Sequence, residues 1–189
     1  MMNKAKDIVL IGGSAGSYTL IVQILEALPQ RFDAAIAIVI HRNPRFTTKI
    51  EETLSIKLRR SVIQPRDKTA IAPNIIYFAG PGYHLLVEPD WTFSVDVSER
   101  IHFSRPSIDV LFDTAAEVYQ DRCTAFLLSG ANQDGADGIR RVREMGGKAI
   151  IQSPDDALIA TMPTYAIQAN AESDVYDDQQ IISFFRKLT

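Results

Sequence analysis

The feature that most constrains this chain is a set of short, unbroken apolar runs rich in Val and Ile. Ile8–Ile11, Ala35–Ile40, Ile75–Ala79, Ala125–Leu128 and Ala149–Ile151 show no polar alternation. A strand with one wet face alternates polar and apolar residues. A strand covered on both faces need not, and that double cover is the condition of a parallel sheet between layers of helices. The intervening segments read as those helices. Leu20, Ile21, Ile24, Leu25 and Leu28 fall at helical spacing before Pro29, and Ala136–Met145 is closed by Gly146 and Gly147. In Ser107–Val118, the residues Ile108, Leu111, Phe112, Ala115 and Val118 share one helical face. Repeated strand–helix–strand units predict an α/β fold: a doubly wound, mostly parallel sheet with helices on both faces, Rossmann-like. Leu85–Phe103 breaks the rhythm. Its partial alternation about Pro89-Asp90 predicts a β-hairpin at one edge of the sheet. With no repeat, linker or low-complexity tract, residues 1–189 are expected to form a single domain.

Charge excludes some functions. The chain carries 20 Lys and Arg against 23 Asp and Glu, a net charge of -3, so nothing electrostatic points to nucleic acid. Cys123 is the single cysteine and lies in an apolar run, which suits plain core and a reducing compartment. Ile8–Ile11 is too brief for a signal-peptide core, and no run approaches the ~20 apolar residues of a membrane span. The expectation is a cytoplasmic protein without membrane insertion.

The first chemistry lies where the first strand ends. Gly12-Gly13-Ser14-Ala15-Gly16 matches G-x-S-x-G at a strand-to-helix turn. Small neighbours let the backbone reverse sharply and lift the serine hydroxyl above the carboxyl edge of the sheet, over a helix N-terminus. A dinucleotide-binding turn is the main rival. It requires glycine where Ile11 stands and a carboxylate at the end of the second strand, where His41 stands. No cofactor is therefore expected. A plainer alternative makes Ser14 a helix cap.

A serine nucleophile needs a base. Of His41, His84 and His102, only His41 directly follows a strand, and neighbouring strand ends are roughly 5 Å apart. His84, entering the hairpin, and His102, in its final strand, read as structural. The third member should be a carboxylate at another strand end. Asp134 and Asp137 each precede glycine after Ala125–Leu128, and their spacing leaves the choice open. The order Ser, His, Asp and the lack of any histidine after Asp134 exclude the common esterase order, in which histidine comes last. No metal-ligand spacing stands out.

Six segments in order give a resemblance: Ile11-Gly12-Gly13-Ser14-Ala15-Gly16, Ile40-His41-Arg42-Asn43-Pro44, Tyr83-His84-Leu85-Leu86-Val87, the run from Arg105 to Phe112, the run from Leu128 to Gly138, and Thr161-Met162-Pro163. Together they resemble the catalytic domain of the CheB family of chemotaxis protein-glutamate methylesterases, from Asp7 to Ala169. The resemblance implies a triad of Ser14, His41 and Asp134. It implies hydrolysis of γ-glutamyl methyl esters on the cytoplasmic helices of chemoreceptors, with deamidation of certain receptor glutamines. The oxyanion is expected at the backbone N–H groups of Ala15 and Ala131. Ala15 stands where many members have Thr, and Ala131 where many have Met. Only about six residues precede the first strand, so the phosphoacceptor receiver domain of the best-known members is not expected. The competing readings are a small-molecule esterase or amidase on the same fold, and a non-catalytic module binding methylated helices or a receptor methyltransferase. A true triad should place one His41 nitrogen near Ser14 and the other near Asp134.

Overall fold

The computed structural model describes residues 4–43, 45 and 48–189. In chain order, β1 (Ile8–Gly13) leads into α1 (Tyr18–Ala27) and β2 (Ala35–Ile40). Next come α2 (Ile50–Leu58), β3 (Val62–Ile63), β4 (Thr69–Ala70) and β5 (Ile76–Phe78). The hairpin β6 (His84–Val87) and β7 (Thr92–Asp96) precedes α3 (Ile108–Tyr119), β8 (Cys123–Leu127), α4 (Ala136–Glu144) and β9 (Lys148–Gln152). The last elements are α5 (Thr161–Ala169), β10 (Asp174–Tyr176) and α6 (Asp178–Arg186). Seven strands form one parallel sheet in the order β10-β9-β8-β1-β2-β5-β3. The α/β doubly wound reading holds.

The apolar runs do what their continuity implies. Successive residues of β1 and β2 face opposite layers. Ile8, Leu10, Ala37 and Val39 belong to one core with α3, α4 and α5; Val9, Ile11, Ile36 and Ile38 belong to the other with α1 and α6. Cys123 is buried in the first of these. No helix among the described residues is long and apolar enough to cross a membrane.

The hairpin forms, but it is not an edge of the main sheet. It pairs with β4 in a separate three-stranded sheet, β4-β7-β6. The physical reason is that β3 already covers the outer side of β5, while the hairpin's apolar residues Leu85, Val87 and Phe93 have a better place in the α3 core. Phe93 packs on Tyr77 with ring centroids 4.8 Å apart. Its second strand ends at Asp96, so His102 lies in the following loop rather than in that strand. There His102 and Phe103 adopt φ values of 47° and 63°.

Strand order places the site. Chain growth proceeds outward from β1 in both directions, through β2 on one side and β8 on the other. Sheets that reverse in this way open a crevice at the carboxyl ends of the strands flanking the reversal. Ser14 follows β1, His41 follows β2, and Asp134 lies in the loop after β8.

Candidate active site

Ser14 sits half-buried in the turn after β1, with its N–H donating to the Ser129 carbonyl at 2.9 Å. Close packing explains the glycines before it. A Cβ on Gly12 would collide with Ile108 and Phe112 of α3, and one on Gly13 would lie 2.6 Å from Ser17 Oγ. The capping alternative fails on position. Ser17, not Ser14, is the N-cap residue of α1, and the Ser14 hydroxyl makes no hydrogen bond among the described residues.

The register Gly13↔Ile40 puts His41 at the neighbouring strand end, where its N–H donates to the Gly13 carbonyl at 3.2 Å. Its Nε2 lies 2.8 Å from Asp134 Oδ2. The other ring nitrogen, Nδ1, faces Ser104 Oγ at 3.3 Å, long for a hydroxyl hydrogen bond. No hydrogen bond among the described residues joins Ser14 to either nitrogen. Of the expected pair of His41 contacts, then, the carboxylate contact is made, and Ser104 stands on the side expected for Ser14.

Asp134 is fully buried and saturated with donors. Oδ1 accepts from Ser107 Oγ at 2.7 Å and the Asp109 N–H at 3.1 Å; Oδ2 accepts from the Ile108 N–H at 2.8 Å as well as from His41. The carboxylate thus occupies the anion site at the N-terminus of α3. Burial alone would push its pKa up, but the hydrogen bonds from His41, Ile108 and Ser107 outweigh it and hold the carboxyl below its ordinary range. Asp137, the alternative by spacing, is turned to Arg140, 2.8 Å away, and is 62 % exposed.

The donors Ser107, Ile108 and Asp109 were not singled out by the sequence reading, although Ser107 standing just before a helical run is an N-cap signal. Asn132 was also missed. Its Nδ2 donates to Ser104 Oγ and the His102 carbonyl, each at 3.2 Å, and its Oδ1 accepts from the Asp134 N–H at 3.2 Å. Single-residue patterns give no sign of such a brace between two loops. The N–H groups of Ala15 and Ala131 donate to nothing among the described residues, and both residues are exposed at this edge. His102, Asp109 and Asp137 bring potential ligand atoms within 4.8 Å of one another, but their carboxylates are already engaged. Asp109 Oδ1 accepts from the Gly135 and Gly138 N–H groups, and Asp137 pairs with Arg140.

The Ser14 turn, the carboxylate-bound His41 and the free Ala15 and Ala131 N–H groups gather at the switch point of a parallel α/β sheet, the kinds of group a hydrolase of the serine class uses. The family model described as CheB methylesterase matches residues 9–185. A Leptospira interrogans protein assigned as a protein-glutamate methylesterase/protein-glutamine glutaminase is 41 % identical over 186 residues, covering 96 % of this chain and 94 % of its own. Protein-glutamate methylesterase FrzG of Myxococcus xanthus is 32 % identical over 168 residues, covering 89 % of this chain and 50 % of its own. Among solved structures, the Thermotoga maritima CheB methylesterase catalytic domain matches with a TM-score of 0.89 at 28 % identity, over 97 % of this chain and 98 % of that one. The chain belongs to the CheB methylesterase family and is a carboxylic-ester hydrolase.

Proposed function

We propose that the chain hydrolyses γ-glutamyl methyl esters on a chemoreceptor, releasing methanol, with Ser14 as nucleophile, His41 as base and Asp134 as its orienting carboxylate. The single observation that carries this reading is the buried Asp134 carboxylate fixed on His41 Nε2, one strand away from Ser14. Nε2–H donating to Asp134 leaves Nδ1 as the bare nitrogen able to take the Ser14 proton. Ser14 Oγ then attacks the ester carbonyl. The tetrahedral oxyanion is received by the Ala15 and Ala131 N–H groups, each worth about 3–4 kcal/mol if well placed. The proton returns from His41 to the departing methoxide, forming methanol, and water repeats the sequence on the acyl-enzyme. The same steps on a glutaminyl amide release ammonia, matching the second half of the Leptospira protein's name. Free Ala15 and Ala131 donors beside Ser14 also support an enzyme over a binding module.

Methanol release from methylated receptor fragments tests the reading. Ser14→Ala is expected to lower the rate by about a thousandfold or more. Activity surviving in that variant would remove Ser14 from the chemistry. Turnover of simple esters without methanol from receptor would instead assign a small-molecule substrate.

A further inference from the structure

In a chain with 23 acidic and 20 basic residues, a patch of one sign needs a local reason. The cleft beside His41, about 380 Å³ in volume, is such a patch: Arg42, Arg45, Arg100 and Arg105 line it, and no Asp or Glu among the described residues does. Arg42 is spoken for. Its guanidinium pairs with Glu51 at 2.7 Å, donates to the Ala79 carbonyl at 2.6 Å and is only 6 % exposed. The other three carry no acidic partner among the described residues. Arg105 donates through Nη1 to the Val97 and Ser98 carbonyls at 2.6 and 2.7 Å, which holds it in place but leaves its charge uncompensated. Arg100 reaches the Phe103 carbonyl only at 3.4 Å.

Arginines serving stability look different in this same chain. Arg141 lies between Asp113 and Glu117, and Arg143 pairs with Glu172. Three like charges gathered around one cleft repel each other, and the gathering gains its value when an anion enters. The methyl ester itself is neutral, so it gives a cationic wall nothing to select. Carboxylates beside it do, and the guanidinium fork matches them two hydrogen bonds at a time.

We propose that Arg45, Arg100 and Arg105 bind free carboxylates flanking the ester, so that the preferred substrate is an acidic peptide segment in which an esterified glutamate stands among unesterified ones. This rests on the Ser14–His41 reading of the site. Two synthetic peptides test it, each bearing one γ-methyl glutamate, flanked by Glu in one and by Gln in the other. With the full chain, kcat/KM is expected to favour the Glu-flanked peptide by about tenfold at low salt, as two or three exposed charge pairs would give. The preference should shrink with added NaCl. In the Arg45→Gln/Arg100→Gln double variant, the ratio between the two peptides is expected to fall toward unity. Equal kcat/KM for both peptides with the wild-type chain, or a ratio unchanged in the double variant, overturns the proposal. Anisotropy titration of the same peptides, fluorescently labelled, reads charge selection apart from turnover. Equal Kd values overturn the proposal, whereas Glu-selective binding with no methanol released supports it and overturns the catalytic reading instead.

Discussion

A histidine base is defined by which nitrogen it keeps bare, and in this site the assignment is the reverse of the familiar one. In the chymotrypsin-type triad, Nδ1 faces the carboxylate and Nε2 the serine. Here Nε2 faces Asp134 and Nδ1 faces Ser104 Oγ, so in the proposed mechanism Nδ1 is the nitrogen that serves Ser14. The consequence is a prediction for Asp134→Asn. An amide cannot hold the Nε2–H tautomer as a carboxylate does, and in either orientation its NH2 would face donors: Ser107 Oγ and the Asp109 N–H at one oxygen's place, or the Ile108 N–H and His41 at the other. The expected result is a fall in kcat of about ten-thousandfold, together with a lower Tm. Methanol release and calorimetry measure the two effects separately. A variant within tenfold of wild type would take Asp134 out of the orienting role. His41 and the Ser14 turn were legible because strand ends and glycine-flanked serines leave local marks. Ser104 was not, because its place beside His41 arises from a loop folding back across 63 residues of sequence.

At the scale of elements, two helices cap one another through their acids. Asp134, just before α4, accepts from the first N–H groups of α3, while Asp109, in the first turn of α3, accepts from Gly135 and Gly138 at the start of α4. The crossing brings the two carboxylates together, and burial with the Asp134 charge pushes the Asp109 pKa up to about 7. The two caps therefore respond oppositely to pH. Asp134, with its pKa lowered, contributes stability above the ordinary carboxylate range and loses it as pH falls below that range. Asp109, with its pKa raised, contributes most at pH below its unfolded value and loses that contribution as pH rises toward about 7. Asp109→Asn keeps an acceptor for Gly135 and Gly138 while removing the charge. It is expected to gain about 1 kcal/mol at pH 8, or ~2–4 °C in Tm for a chain of this size, with the gain vanishing near pH 4. Thermal melts of both chains across that range check it; a variant less stable at pH 8 would mean the Asp109 charge is favourable. Each helix was visible in its apolar spacing, and Asp134 in its Asp-Gly turn. Their reciprocal capping was not, because it depends on α3 and α4 packing together, which no local pattern encodes. The hairpin was misplaced for the same kind of reason: alternation reveals a strand pair but not the sheet it joins.

Across the whole molecule, the sheet separates two tasks that the sequence interleaves residue by residue. One layer, with α3 and α4, carries the groups that fix Asp134 and so His41; the other, with α1 and α6, fills the opposite core. α6 lies on that second layer, started by a capping box between Asp177 and Gln180, and its Phe185 is buried against Phe126 of β8 with ring centroids 4.9 Å apart. Nothing on α6 hydrogen-bonds to Ser14, His41 or Asp134 among the described residues. Stability and chemistry should therefore part company here. Phe185→Ala removes a buried aromatic side chain and is expected to cost about 3–5 kcal/mol. At ~2–4 °C per kcal/mol, that is a large fall in Tm. Below the lowered transition, kcat for methanol release is expected to stay within about twofold of wild type, since the carboxyl edge of β1, β2 and β8 keeps its register and its α3 support. Calorimetry and ester hydrolysis on one preparation make the comparison. A proportional loss of kcat in protein still fully folded would mean that the α6 layer transmits strain through β8 to the Asp134 loop, and that the two faces of the sheet act as one body.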